Sequence, residues 1–153
     1  MPILVRIDDL TAPEVHALIT EHLDAMRGHS PAEHAHALAV DGLRAPDITF
    51  FTAWQQERLA GCGALRELDA TCGEVKSMRT RAAFLRQGVG QSVLDTIVAT
   101  ARQRGYRQLY LETGTGPAFA AAHALYERNG FVRCGPFGSY RATDFNVFLC
   151  LAL

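Results

Sequence analysis

No stretch of this chain is apolar and long enough to span a bilayer, so the sequence predicts no membrane segment. The amino terminus reads as a short strand instead of a signal peptide. Charge of neither sign dominates: 15 Lys and Arg stand against 16 Asp and Glu, a formal net charge of −1. That balance gives no support to binding of nucleic acid or of an anionic membrane. Cysteine is sparse. Cys62, Cys72, Cys134 and Cys150 show no C-x-x-C spacing, which argues against a disulfide or zinc framework and for reduced thiols in a cytoplasmic protein. Histidines cluster once, at His29, His34 and His36, and the last two fall on different faces of a helix, a poor arrangement for a metal. No metal is expected, and there is no internal repeat, linker or low-complexity run.

What is present is the composition of one ordinary globular domain, residues 1–153. With 48% hydrophobic residues over 153 positions, the chain is large enough to bury a real core. Ile3 to Ile7 reads as a strand. Thr11-Ala12-Pro13-Glu14 is a capping box opening a helix whose apolar face is Val15, Leu18, Ile19, Leu23 and Met26. Ser30-Pro31-Ala32-Glu33 is a second capping box, for a helix fading near Leu43. Ile48 to Trp54 and Leu59 to Leu65 form a hairpin around Gln55-Gln56-Glu57-Arg58, and Glu74 to Thr80 is the next strand. A helix over Gln91 to Arg104 buries Val93, Leu94, Ile97, Val98 and Ala101, with Val89 just before it, and stops at Gly105. The strand Arg107 to Glu112, a helix ending at Asn129, and strands Phe131 to Arg133 and Phe145 to Leu153 complete the chain. The order β-α-α-β-β-β-α-β-α-β-β predicts an α/β fold with a mixed sheet covered by helices on both faces.

Two segments carry chemistry. Arg86-Gln87-Gly88-Val89-Gly90-Gln91 lies between a strand and a helix. A glycine-rich turn there leaves backbone N–H groups without intrahelical partners, at the positive end of the helix dipole. Such a turn cradles phosphate, and its glycines admit close approach to the backbone. It lacks the third glycine of the dinucleotide fingerprint and the Gly-Lys-Ser/Thr of a P-loop, so a plain tight turn is the competing reading. The second segment is Ala122-His123-Ala124-Leu125-Tyr126-Glu127-Arg128-Asn129-Gly130-Phe131, a helix closed by glycine and followed by a strand.

Together these segments resemble the GNAT superfamily of acetyl-CoA-dependent acyltransferases. The first is similar to that family's Arg/Gln-x-x-Gly-x-Gly/Ala pyrophosphate loop, and the second to its Ala-x-x-Leu-Tyr-x-x-x-Gly-Phe segment. Two departures stand out. Leu85 occupies the first loop position, with Arg86 one place on, and Phe119 stands where members carry an Asn seven residues before the tyrosine. The resemblance implies a GNAT-like fold and acetyl-CoA as co-substrate. The pantetheine arm would run beside Met78, Arg79 and Thr80, and the amides of Gln87 to Gln91, with Arg86 adjacent, would grip the pyrophosphate. Phe119 would border the same arm. A backbone amide near Met78 would serve as oxyanion donor.

Acyl transfer to an amine also needs a base and an acid. Tyr126 is the candidate acid, because a phenol stays protonated at neutral pH and can donate to a leaving thiolate. Its competing reading is a half-buried aromatic on an amphipathic helix. Glu74 is the candidate base, against a solvated strand-end carboxylate or a structural ion pair with Lys76. Strict alternation puts Glu74, Lys76 and Met78 on one strand face and Val75, Ser77 and Arg79 on the other. A site bearing both signs suits a small, amino-acid-like amine. The expected function is N-acetyl transfer to a primary amine of a small molecule by direct transfer in a ternary complex. A protein amine as acceptor and a non-catalytic acyl-CoA-binding or sensing module are the alternatives, and a homodimer is left open. A Rossmann nucleotide-binding protein is disfavoured, since its glycine loop follows the first strand and here the loop follows four.

Overall fold

The structure is a computed structural model that describes residues 2–29 and 40–153. The second capping box and His34 and His36 lie outside the described residues, as does all but the end of the second predicted helix. The elements are β1 (Leu4–Ile7), α1 (Pro13–His29), α2 (Val40–Leu43), β2 (Ile48–Gln55), β3 (Arg58–Asp69), β4 (Cys72–Thr80), α3 (Val89–Gln103), β5 (Gln108–Gly114), α4 (Ala120–Arg128), β6 (Val132–Cys134) and β7 (Asn146–Ala152). Their order is the expected one. They build a seven-stranded sheet in the order β1-β2-β3-β4-β5-β7-β6. Among the described residues only β4 and β5 pair in parallel, and every other neighbouring pair is antiparallel.

Two apolar layers sandwich the sheet. On one face Val89, Val93, Leu94, Ile97 and Ala101 of α3 pack against Phe51, Leu65, Val75, Leu109 and Leu111. Their spacing follows the helical period, so one stripe of α3 is buried. On the other face Val15, Leu18 and Ile19 of α1 meet Leu10, Phe50, Trp54 and Leu59. Each fully buried Leu, Ile or Phe contributes about 1.5–3 kcal/mol. Among the described residues no helix is long and apolar enough to cross a membrane.

Local conformation departs from the sequence reading at two points and is unusual for its residue types at a third, the expected β2–β3 turn. First, α1 begins at Pro13, one residue later than a Thr11 cap requires. The Thr11 hydroxyl instead donates to Asp9 Oδ1 at 2.7 Å, so an Asx turn displaces the capping box. Second, the β2–β3 hairpin turns through Gln56 (φ 49°) and Glu57 (φ 67°), a left-handed pair that normally calls for Asn-Gly. Third, β4 does not alternate strictly. Ser77 has φ 55°, and the β3 register slips there: Ala64 faces Lys76, but Cys62 faces Arg79. This bulge carries one extra residue, so faces exchange beyond it. Met78 joins Val75 on the α3 side, and Arg79, not Met78, shares the α1 side with Glu74 and Lys76.

Candidate active site

The site begins where two strands part. Parallel pairing of β4 with β5 covers only Cys72–Glu74 against Gln108–Tyr110. Beyond it β4 bends at the Ser77 bulge while β5 stays bonded to β7 as far as Gly114. The backbone of β4 from Val75 to Thr80 therefore lines a gap in the sheet instead of a neighbouring strand. Two cavities occupy the gap. The larger, about 320 Å³, is lined by Met78, Arg79, Thr80, Leu85, Gly90 and Leu125, among others. The smaller, about 110 Å³, is lined by Glu74, Lys76, Glu112, Thr113 and Tyr140, among others. His22, Met26, Met78, Phe119, Ala122 and Tyr126 border both, so the cavities meet at these residues.

At the outer end of the larger cavity lies the glycine turn. Gly88 is the residue before α3, with φ 84°, and Arg86 is also left-handed, with φ 61°. The first intrahelical bond runs from Ser92 N–H to Gly88 C=O, so the preceding amides look outward. A Cβ on Gly90 would sit 3.3 Å from Leu125, which explains the need for a bare backbone there. Arg86 and Gln87 are exposed. The Val89 side chain is buried in the core, so only its backbone can face a ligand. Gln91 is turned aside. Its amide exchanges two hydrogen bonds with Asn129, at 2.8 and 2.9 Å.

Tyr126 is held by its helix end. Gly130 (φ 92°) closes α4, Phe131 N–H donates to Tyr126 C=O, and Gly130 N–H donates to Glu127 C=O, both at 3.1 Å. This is a Schellman closure, whose hydrophobic partner contact is Tyr126 on Phe131, edge to face at 5.6 Å. The Tyr-x-x-x-Gly-Phe spacing is thus a device that fixes the tyrosine. The ring is 6% exposed, and burial raises its phenol pKa well above the usual range. Phe119 is also buried and lies against Gly114, where a Cβ would be 2.4 Å from its ring.

Glu74 is not a solvated strand end. It is 1% exposed, and its Oε2 accepts from Lys76 Nζ at 3.1 Å and from Tyr140 Oη at 2.5 Å. Lys76, the only lysine of the chain, also donates to Tyr140 Oη at 2.6 Å. Arg66 lies 3.9 Å from Glu74 Oε1. Burial first, and Glu74 second, hold the Tyr140 phenol far above its ordinary pKa, so it stays a donor. The loop between β6 and β7 delivers Tyr140 by seating Phe137 on Tyr110 and Phe148.

Three cavity residues, and the Asn146 that holds one of them, escaped the sequence reading. Glu112 is half-buried, and its Oε2 accepts from Asn146 Nδ2 at 2.7 Å. Burial pushes its carboxyl up to about 7 from an ordinary 4.5, against opposing pulls from Asn146 and Lys76. His22 lines both cavities, and burial lowers its imidazole to about 4, so it is neutral. Its position four residues after Leu18 on the inward face of α1 was a readable signal. Glu112 also had one, as the polar partner of Tyr110 on the face opposite Leu109 and Leu111. Tyr140 and Asn146 had none, because an irregular loop carries the first and a register the second. Among the described residues there is no group of three metal-ligating side chains.

Residues 14–131 match the Acetyltransferase (GNAT) family. The chain is 50% identical over 145 residues to the uncharacterized N-acetyltransferase YsnE of Bacillus subtilis (strain 168), across 95% of this chain and 96% of that protein. It is 46% identical over 149 residues to the uncharacterized N-acetyltransferase YedL of Escherichia coli (strain K12), across 97% and 94%. A solved structure from Klebsiella pneumoniae, described as an acyl-CoA N-acyltransferase, has TM-score 0.80 and 27% identity, covering 99% of this chain and 97% of that one. The PaiA N-acetyltransferase of Thermoplasma acidophilum, solved in complex with coenzyme A, shares the fold at TM-score 0.77 and 15% identity, over 100% of both chains. The chain belongs to the GNAT acetyltransferase family, and it is an N-acetyltransferase.

Proposed function

We propose that the protein transfers an acetyl group from acetyl-CoA to a primary amine of a small molecule, directly and within a ternary complex. The observation that carries this is the meeting of the two cavities at Tyr126. The larger cavity opens toward a glycine turn with outward amides, suited to a pyrophosphate. Its wall is the open backbone edge of Met78, Arg79 and Thr80, suited to a pantetheine arm, and a backbone amide near Met78 would serve as oxyanion donor. Arg86 is exposed for the phosphates, and Phe119 gives the arm an apolar border where a polar contact is replaced. The fit is good on one further count. Gly90 lines the larger cavity, and a side chain there would close the approach to Leu125.

The smaller cavity, about 110 Å³ and rich in carboxylate, suits a compact amine better than a folded protein surface. Of its two carboxylates, Glu74 and Glu112, one takes a proton from the incoming ammonium, and the free amine attacks the thioester carbonyl. As the C–S bond breaks, Tyr126 gives its proton to the sulfur and recovers one from the new amide nitrogen. Its raised pKa keeps it protonated until the sulfur becomes basic. Direct transfer is supported by the cysteines. None lines either cavity. Burial also pushes Cys62 up to about 12 and Cys134 up to about 11, which removes their nucleophilic thiolates.

The test is thiol release from acetyl-CoA, measured against amino acids, polyamines, aminoglycosides and peptides, with CoA affinity measured in parallel by calorimetry. Thiol release with one small-molecule class upholds the reading. Tight CoA binding without thiol release from any amine favours the sensing module, and release with peptides alone favours a protein acceptor.

A further inference from the structure

We propose that Glu112 is the general base for the acceptor amine, and that Glu74 is a positioning residue that never receives the substrate proton. The inference rests on the acyl-transfer reading above and names the residue that performs one of its steps.

The two carboxylates of the smaller cavity are differently committed. Glu74 Oε2 is occupied by the Lys76 ammonium and the Tyr140 hydroxyl. Its Oε1 is sealed from solvent, with no hydrogen-bond partner. To take a proton at Oε2, Glu74 must surrender one of two buried donors. To take it at Oε1, a proton must enter where water does not. Oε1 also lies 3.9 Å from the Arg66 guanidinium, which favours its ionised form.

Glu112 stands differently. It projects from β5 on the face shared with Phe148, into the space that opens once β4 has bent away. One of its holds is a side-chain amide. Asn146 Nδ2 donates to Glu112 Oε2 at 2.7 Å and to Arg141 C=O at 3.0 Å. Asn146 Oδ1 accepts from Thr143 N–H and Oγ1 at 2.8 and 3.1 Å. With all four of these bonds made, the amide cannot flip, so it offers Glu112 an N–H in every protonation state. A neutral donor orients a carboxylate without a full charge to keep it ionised, and the acid form can still accept that bond at Oε2. The proton then resides on the other oxygen.

The groups facing Glu112 fit this task. Lys76 and Glu74 on β4 offset each other at 3.1 Å, and Tyr140 from the loop after β6 is a neutral donor. Across the cavity, α1 presents a neutral His22, and α4 presents the protonated Tyr126. Burial is the largest influence on Glu112, ahead of Asn146, Lys76 and Glu74, and pushes its carboxyl up to about 7. That is where a base for an ammonium works best at neutral pH. The step balances: R–NH3+ and Glu112 carboxylate become R–NH2 and Glu112 carboxylic acid, and the proton leaves to water after product release.

The experiment has two arms. Carbon-13 NMR of protein labelled at glutamate side-chain carboxyls should show one carboxyl titrating near pH 7, missing from Glu112→Gln. Thiol release with the amine that the screen identifies should show an acid limb in kcat/KM at the same midpoint. Glu112→Gln should lower kcat/KM by about 10²–10⁴-fold below that midpoint, less at high pH, with CoA affinity kept. Glu112→Asp should restore part of the rate, and Glu74→Gln should keep the limb. An unchanged limb in Glu112→Gln, or its loss in Glu74→Gln, overturns the assignment while leaving acyl transfer intact. No carboxyl titrating between pH 6 and 8 overturns it as well. Absence of thiol release with every amine removes the acyl-transfer reading and the base with it.

Discussion

Gln91 and Asn129 face each other side chain to side chain, each amide donating to the other, at 2.8 and 2.9 Å. Gln91 belongs to the first turn of α3 and Asn129 is the cap of α4, whose Nδ2 also donates to Leu125 C=O at 2.7 Å. The pair therefore ties the proposed phosphate turn to the helix that carries Tyr126. Gln91→Ala and Asn129→Ala should each cost about 1 kcal/mol, with a coupling above about 0.5 kcal/mol in a double-mutant cycle by urea unfolding. Both should also lower kcat/KM, because the acid and the thioester lose their relative placement. Strict additivity would make the pair incidental.

Gly90→Val should abolish most CoA affinity while the protein stays folded. The new side chain meets Leu125, whose neighbourhood lines the larger cavity, and leaves no room beside the outward amides. Calorimetry with CoA and circular dichroism read the two halves of the expectation. Unchanged affinity in a folded variant would remove the phosphate from this turn.

Tyr126→Phe should lower kcat by about 10²-fold with CoA affinity nearly unchanged, since in the proposed mechanism the hydroxyl acts on charge that develops only as sulfur departs. The edge-to-face contact with Phe131 survives loss of one oxygen, so thermal stability should hold. Pre-steady-state thiol release measures the chemical step directly. An unaltered rate would make Tyr126 a packing residue.

Glu74→Leu should cost about 3–5 kcal/mol, because it leaves the Lys76 ammonium, whose side chain is 6% exposed, without its carboxylate. Adding Lys76→Met should recover most of that loss in urea unfolding. A single variant as stable as the parent would mean that the buried pair contributes nothing to the fold.

Two titrations should leave opposite marks on stability. His22 falls from 6.5 to about 4, so the unfolded chain binds its proton first and stability declines as pH drops from 6.5 toward 4. The loss is on the order of 2–3 kcal/mol, absent from His22→Gln. Glu112 rises from 4.5 to about 7, so the folded chain keeps its proton longer and stability declines as pH climbs through that window. Screening in the half-open cavity reduces this to on the order of 1–2 kcal/mol, absent from Glu112→Gln. Thermal unfolding of the three proteins from pH 4 to 8 separates the limbs, and parallel curves would refute both.

The element order was legible because glycines punctuate it: Gly105 and Gly130 close α3 and α4 with φ 81° and 92°, a conformation that glycine adopts freely. The turn at Gly88 and the tyrosine helix were legible for the same reason. The bulge was hidden, because Ser77 takes φ 55° through tertiary pairing and not through its own preference. That single residue misassigned Met78 and Arg79 to the wrong faces. Glu112 was legible only as one polar residue on the outward face of an alternating strand, because its importance depends on where β4 departs from β5. The Thr11 capping box failed because Asp9, two residues earlier, captured the hydroxyl.

Direct transfer at the junction of the two cavities is tested most sharply by mass spectrometry of a complete reaction. Enzyme, acetyl-CoA and the amine identified by the screen would be mixed, and protein and products weighed together. The account predicts acetylated amine and free CoA thiol in equal amounts, with the enzyme unmodified at every time point and with acetyl-CoA alone. An acetylated enzyme that forms without amine and decays when amine is added would contradict it.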